Sequence, residues 1–157
     1  MAITFKLEGM PALQREWQRL KANVGQTMTD AVQSAVKEGA DEARSTHRYK
    51  DQTGNLTEKT TGRIITATFG SCEGEIIADT KYALFVSDGT KPHEIAARRA
   101  VMLAWQQPQG DWHFAKKVQH PGTKADPFMG NAYLKAERVL LREIEVGIDK
   151  AARTFES

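Results

Sequence analysis

The amino-acid sequence predicts an α+β fold in which an antiparallel β-sheet packs against two N-terminal helices and a long C-terminal helix. Apolar residues recur every three or four positions over about 11–46 and 127–155, as on one face of an amphipathic helix. The middle of the chain, about 59–120, is instead rich in β-branched residues and turn formers. Because helices and strands are segregated along the chain, the strands are expected to pair as antiparallel hairpins. The 157 residues are enough for one domain with its own core, spanning 1–157.

The N-terminal part predicts a short strand followed by two helices. Apolar and polar residues alternate over Met1–Leu7, which is typical of a strand. Pro11 suits the first position of a helix, and Gly25 is expected to end that helix. A second helix is predicted over Thr27–Arg44, with small residues on its apolar face. The apolar face of the first helix consists of Leu13, Trp17, Leu20 and Val24.

The first strands are predicted between residues 59 and 78. Threonines and isoleucines dominate 59–68, and 75–79 is a second apolar stretch. Glycine and serine within 69–74 predict a turn between them, so we expect an antiparallel hairpin. The apolar run Tyr82–Val86 is too short for its pattern to distinguish a strand from a helical turn.

The rest of the chain predicts further strands and one long helix. Residues 92–95 are expected to be extended, 96–105 to contain a short helical turn, and 112–120 to form a strand. Asp126 and Pro127 are typical of a helix start, with Asp126 as the cap. The helix that follows has the most regular apolar spacing in the chain.

Composition excludes several classes of protein. The net charge is +2, and no apolar run reaches the roughly 18 residues of a membrane-spanning helix. Cys72 is the single cysteine, which excludes an internal disulfide and a cysteine-based zinc cluster within one chain. The N-terminus has no basic start followed by an apolar stretch, as a secretory signal would have. These features predict a cytoplasmic protein without membrane contact.

Charge is unevenly distributed. Residues 80–125 hold seven basic and three acidic side chains, whereas 1–79 and 126–157 each have one more acidic than basic residue. A basic segment of this kind could face a polyanion or simply be solvated. It includes Arg98, Arg99, Lys116, Lys117 and Lys124, with Trp105, Trp112 and Phe114 interleaved. The sequence therefore leaves two alternatives: a nucleic-acid-binding surface, or lysines in solvent with Trp105 and Phe114 in the core.

No pattern in the sequence predicts catalysis or metal binding. His93, His113 and His120 lie in the same segment, but their spacing matches no zinc motif. Cys72 lies in a glycine-flanked turn without a neighbouring base. There is no nucleophile elbow and no phosphate-binding glycine loop. We therefore expect no catalytic residue, no metal and no cofactor.

Three segments, taken in order, resemble a known family. They are Thr53–Leu56, Tyr82–Ile95 and Val118–Met129, the last two containing Asp88-Gly89-Thr90 and His120-Pro121-Gly122-Thr123. Together they resemble the tail-component family of tailed bacteriophages and prophages, whose members are tail-completion or head-to-tail joining (neck) proteins of long-tailed phages. One departure concerns the acidic residue that the family usually has two positions before the Gly-Thr pair. Here Ser87 stands at that position and the acidic residue, Asp88, follows it, which puts in doubt a salt bridge carried over to Asp88.

The resemblance implies a non-enzymatic structural protein of virion assembly. Such a protein forms a homo-oligomeric ring around the DNA channel, with six copies as one candidate stoichiometry, and joins tail-tube or tail-terminator proteins to connector proteins. It would be found in the tail or neck of the virion and in the host cytoplasm during assembly. Ring contacts are then expected at the loops, and non-specific DNA contact at the basic segment. The candidate interface residues are Tyr82, Asp88, Gly89, Thr90, His93, His120, Pro121, Gly122, Pro127 and Phe128, and the candidates for lining the DNA channel are Arg98, Arg99, Lys116, Lys117 and Lys124. The alternative for Tyr82, Phe85 and Phe128 is that they fill the core.

Overall fold

The computed structural model describes residues 10–50, 53–68, 70–98, 100–106 and 110–153. The strand predicted over Met1–Leu7 lies outside these residues. Two long helices dominate the fold, α1 (Met10–Ser45) and α4 (Phe128–Arg153). The elements between them are α2 (Asn55–Glu58), β1 (Thr60–Ala67), β2 (Cys72–Ala78), α3 (Ala83–Ser87), β3 (His93–Ala96), β4 (Leu103–Gln106), β5 (Trp112–Ala115) and β6 (Lys117–His120). The α+β class is confirmed.

Small residues let α1 and α4 approach closely. A Cβ on Gly39 would lie 2.9 Å from the carbonyl oxygen of Ala132, and one on Gly147 would lie 2.0 Å from a methyl of Thr27. These two contacts show that the helices run antiparallel. The buried residues on both helices are mostly small, and van der Waals contact between them stabilises the pair. They are Ala31, Ala35, Val36, Gly39, Ala40, Ala43, Ala132 and Val139, with Phe128 as the one large exception among the described residues.

The prediction of two N-terminal helices is wrong, because α1 continues through Gly25. A glycine inside a helix costs only about 1 kcal/mol relative to alanine. On the C-terminal side of Gly25, α1 packs against α4, where Thr27 contacts Gly147. Thr29 also donates its hydroxyl to the Gly25 carbonyl oxygen at 3.0 Å. Tertiary contact therefore outweighs the local signal for a break.

The first hairpin is confirmed and packs on α1. β1 and β2 pair antiparallel, with Thr60 opposite Ala78. Gly62 and Gly74 lie against Val36 of α1, and a Cβ on Gly62 would lie only 2.2 Å from the Val36 carbonyl oxygen. The glycines therefore allow the hairpin to lie directly on the helix backbone.

A single β-sheet is not observed: the described strands form three two-stranded sheets, β1–β2, β3–β6 and β4–β5. The last two follow each other along one projecting ribbon, which we call the arm (the described residues of 93–120). Between them the backbone N–H of Ala97 donates to the carbonyl oxygen of Lys116 at 3.0 Å. We call β4 and β5, with the flanking Val101 and Met102, the outer hairpin.

The arm corrects two predictions. The helical turn expected within 96–105 is replaced by β4, because Trp105 pairs with His113 across the hairpin. The strand predicted over 112–120 is confirmed, with an interruption at Lys116 between β5 and β6. The ambiguous run Tyr82–Val86 becomes the short helix α3. Within the part of the chain that the structure covers, no helix is long and apolar enough to cross a bilayer.

Candidate functional site

The three segments that carry the family resemblance meet in space. The side-chain amide of Asn55 donates to the Tyr82 hydroxyl at 3.3 Å. Thr90 and Thr123 exchange two backbone hydrogen bonds of 2.9 and 3.1 Å. The backbone N–H of Asp126 donates to the Val86 carbonyl oxygen at 3.0 Å. We call this arrangement of 53–56, 82–92 and 121–127 the loop cluster.

Two glycines allow the loops of this cluster to touch. Gly89 and Gly122 have φ angles of 74° and 88°, in the left-handed region that favours glycine. A Cβ on Gly122 would lie 2.2 Å from the Thr90 carbonyl oxygen, and one on Gly89 would lie 2.5 Å from that of Thr123. Both candidate interface glycines therefore have an internal role in joining the loops.

Asp126 anchors the loop cluster to the segment that follows α1. Its buried carboxylate accepts hydrogen bonds from the backbone N–H groups of Arg48 and Tyr49, the latter at 2.8 Å. The prediction that this side chain caps α4 is wrong, because its carboxylate bonds to Arg48 and Tyr49 and not to the first turn of α4. The first helical hydrogen bond runs from the N–H of Asn131 to the carbonyl oxygen of Pro127 at 3.0 Å, and the carboxylate reaches across the fold instead.

Phe128 is part of the core and is not a surface residue. It is 0% exposed, packs in a cluster with Leu56, and meets the ring of Tyr49 edge-on with centroids 5.3 Å apart. Its assignment as an interface candidate is wrong, because it offers no surface to a partner. The core alternative is right for Phe128 and wrong for Tyr82 and Phe85, which are 39% and 58% exposed.

A cleft of about 570 Å³ opens beside the loop cluster. Its walls include three basic residues from two parts of the chain, Arg48 and Lys50 after α1 and Lys124 of the loop cluster, all exposed. Tyr82 and Thr123 also line it. Nothing in the local sequence marks Arg48 or Lys50 as part of a site, because only the fold brings them beside Lys124. Such a cleft could accept a carboxylate or another anionic group of a partner.

The remaining interface candidates lie around the loop cluster. Asp88, Pro121 and Pro127 are exposed, and Thr90 is half-buried. His93 and His120 face each other across β3 and β6, with ring centroids 5.1 Å apart. His93 is exposed and His120 half-buried. The residues covered by the structure contain no cluster of three or more potential metal ligands.

The outer hairpin exposes its large side chains on both faces. Trp112 and Phe114 stack on one face with centroids 6.4 Å apart, while Trp105 stacks on His113 on the other at 5.7 Å. Phe114 is 61% exposed and Trp105 37%. The alternative that Trp105 and Phe114 fill the core is therefore wrong. The sequence pattern around Phe114 correctly indicated a strand, but it could not indicate whether anything covers that strand.

The candidate DNA-channel residues are divided between two places. Arg98 and Lys116 are exposed beside the interruption of the arm, next to the bond between Ala97 and Lys116. Lys117 pairs with Glu94, with Nζ 3.0 Å from Oε1. Lys124 instead lines the cleft of the loop cluster. Arg99 lies outside the described residues.

Comparison of the chain with protein-family models, with curated proteins and with solved structures finds no match. The phage-tail resemblance therefore rests on the three segments of this sequence.

Proposed function

We propose that the protein is a non-enzymatic structural component of phage or prophage virion assembly, acting in tail completion or head-tail joining. In this proposal it forms a homo-oligomeric ring that contacts tail-tube or tail-terminator proteins on one side and connector proteins on the other. The resemblance of the three segments motivates the proposal. Their convergence in one loop cluster supports it, because residues that share a family pattern are expected to serve one structural element.

The observation that carries the proposal is the outer hairpin. Val101 is 84% exposed, and Met102, Trp112 and Phe114 are also exposed. A two-stranded hairpin is at best marginally stable in water on its own. Contiguous exposed apolar surface of this kind marks a site of protein–protein contact, and aromatic side chains supply much of the binding energy in such contacts.

A ring accounts for the position of this surface on a projecting arm. Subunits in a ring use heterologous contacts, in which one patch meets a different patch on the next copy. The loop cluster, with two glycines at backbone contact, holds the arm to the body with little freedom. That preorganisation lowers the entropic cost of assembly.

The mass of the purified protein tests this proposal. Sedimentation and negative-stain electron microscopy over a range of concentrations are expected to show a closed ring, alone or on addition of tail-tube and connector proteins. A protein that stays monomeric at the highest concentration reached, with those partners present, would contradict it.

The alternative is a nucleic-acid-binding accessory protein. Arg98 and Lys116 favour it, because both are exposed near the interruption of the arm and neither pairs with a carboxylate in the residues the structure describes. Binding to duplex DNA should then weaken steeply between low and moderate salt. Reversing the charges of Arg98, Arg99, Lys116 and Lys117 should abolish binding, while a mere assembly role predicts weak binding at low salt only.

A further inference from the structure

A second exposed apolar surface lies on the body of the protein, between α1, β2 and α4. It is a groove of about 770 Å³, within the roughly 300–1,000 Å³ of clefts that enclose a sizeable ligand. Val32 and Val36 of α1 and Ile76 of β2 line it. Tyr133 and Leu141, both more than 60% exposed, line it from α4.

The groove is lined by acidic side chains, whereas the described residues of the arm carry three basic side chains, Arg98, Lys116 and Lys117, against two acidic ones, Glu94 and Asp111. Glu73 and Glu137 line the groove, both exposed, and its lining includes no basic residue. Neither carboxylate pairs with a cation among the described residues. The arm instead presents Arg98 and Lys116 beside the outer hairpin. Oppositely charged rims around apolar centres steer two surfaces together and fix their register.

We propose that the outer hairpin of one copy inserts into this groove of the next copy, with Trp112 and Phe114 in the groove and Lys116 beside Glu73 or Glu137. The inference rests on the proposed function and names the contact that would build its ring. Hairpin and groove are different patches of one chain, so the contact is heterologous and leaves a free hairpin and a free groove after each addition. Only closure into a ring satisfies every copy.

Other segments of the chain fit the groove less well. Residues 1–9 span at most about 32 Å when fully extended, whereas the rise along α1 from Met10 to Val32 is already about 33 Å. The first turns of α1 expose Leu13 and Trp17. Arg19 there already pairs with Glu16 of the same turn, with Nη1 2.9 Å from Oε1. The outer hairpin instead combines two aromatic rings on one face with the nearby Arg98 and Lys116, neither of which pairs with a carboxylate among the described residues.

The single cysteine makes the contact testable by cross-linking, because Cys72 lines the groove. In the variant Phe114→Cys, mild oxidation with diamide should join Cys72 of one copy to the new thiol of the next copy. The expected product is a ladder of covalent dimers, trimers and larger species on a non-reducing gel. Trp17→Cys is the matched control for an exposed aromatic outside the contact, and Phe114→Cys with Cys72→Ser removes the acceptor. Neither should give a ladder.

Mixing two variants tests the head-to-tail geometry. The double variant Trp112→Ala, Phe114→Ala removes the aromatic surface of the hairpin and keeps the groove. The double variant Leu141→Arg, Tyr133→Ala disrupts the groove and keeps the hairpin surface. Each variant alone should lose all species above monomer, and their mixture should form a heterodimer that stops at two subunits. Lys116→Glu alone and Glu137→Lys alone should each weaken binding about 10-fold or more. Mixing or combining the two changes should restore at least part of that loss.

The outcomes separate this inference from the proposed function. If both double variants still form the ring that the wild type forms, or if Trp17→Cys gives the ladder instead, the hairpin-in-groove contact is overturned but the proposed ring is not. A wild-type protein that is monomeric with its partners present and gives no ladder would overturn both.

Discussion

The body and the arm of this protein use hydrophobic residues in opposite ways. In the body, α1, α4 and the β1–β2 hairpin bring backbones close through glycine and alanine, and most of their buried residues are small. In the arm, the large residues Trp112 and Phe114 are more than half exposed. The body therefore has a core of its own beside the exposed groove, whereas no described residue of the arm is buried, and the apolar surface of the arm is left for a partner to bury.

The loop cluster is what makes the arm a fixed projection. Its contacts to the body run through backbone groups and the buried Asp126. A flexible tether would let the aromatic surface fold back or sample many orientations. A backbone-locked base holds the arm in one direction, which favours a defined assembly over non-specific association.

The same substitution in the two regions should have very different effects on stability. Phe128→Ala removes a fully buried ring and should lower the free energy of unfolding by about 3–5 kcal/mol. Phe114→Ala removes an exposed ring and should change it by less than about 0.5 kcal/mol in the monomer. Urea unfolding followed by circular dichroism measures both. Equal losses would mean that the arm is part of the core.

The close contact between the two loops at the base of the arm, which we call the lock, can be tested separately from the strain of a positive φ. Gly122 and Gly110 both have positive φ, but a Cβ on Gly122 meets the Thr90 carbonyl oxygen at 2.2 Å, while one on Gly110 meets nothing within 4 Å. Gly110→Ala should cost about 1–2 kcal/mol for the left-handed conformation. Gly122→Ala should cost more, because the two loops must also separate. Thermal unfolding of the two variants compares them, and a smaller loss for Gly122→Ala would contradict the lock.

The anchor of the loop cluster should depend on acceptor atoms more than on charge. Asp126→Ala leaves the backbone N–H groups of Arg48 and Tyr49 without their acceptor and should cost about 1–3 kcal/mol. Asp126→Asn keeps a carbonyl oxygen and should lose less. Denaturant unfolding of both variants gives the two values. An equal loss in both would show that the charge of the carboxylate is what matters.

The smallest effect is expected at the surface of the body. Glu38 on α1 pairs with Lys135 and Arg142 on α4, at 3.1 and 3.4 Å. The hydrogen bond from Lys135 lowers the pKa of Glu38 below its ordinary value. A lowered pKa means that the folded state favours the carboxylate, so its contribution to stability is present near neutral pH and is lost as the pH falls and Glu38 takes up a proton.

Glu38→Gln should therefore make stability slightly less dependent on pH in the acid range. The effect is small because solvent screens an exposed pair. Urea midpoints between about pH 7 and pH 3 would show it, with Arg63→Gln as a control that breaks the separate pair with Glu75. A midpoint that rises in the wild type on acidification would contradict the sign.

The local sequence pattern was sufficient to predict an element where the element is long or rich in β-branched residues. The apolar spacing of α4 and the threonine-rich β1 predicted both elements, and the helix begins two residues after Asp126. The break expected at Gly25 failed because the compensating contact, between Thr27 and Gly147, is about 120 residues apart in sequence. No local signal reports such a partner.

The sequence predicted which segments belong to the candidate site, but it did not predict which surfaces those segments expose. The loops around Gly89 and Gly122 were singled out, and the fold brings them into contact. Which aromatic residue faces inward was not predictable, since Tyr82, Phe85 and Phe128 have similar local contexts and only Phe128 is buried. The groove was missed altogether because its walls come from α1, β2 and α4, whose convergence is a property of the whole fold.

Amide hydrogen exchange tests the contrast between body and arm most directly. Exchange is followed by mass spectrometry for the wild type at low and high concentration and for the Trp112→Ala, Phe114→Ala double variant. We expect the amides of β4 and β5 to become protected only in the concentrated wild type, while the helical amides of α1 and α4, including those beside the groove, stay protected throughout. Outer-hairpin amides protected equally in a dilute monomer, or unprotected in the assembled protein, would contradict this expectation.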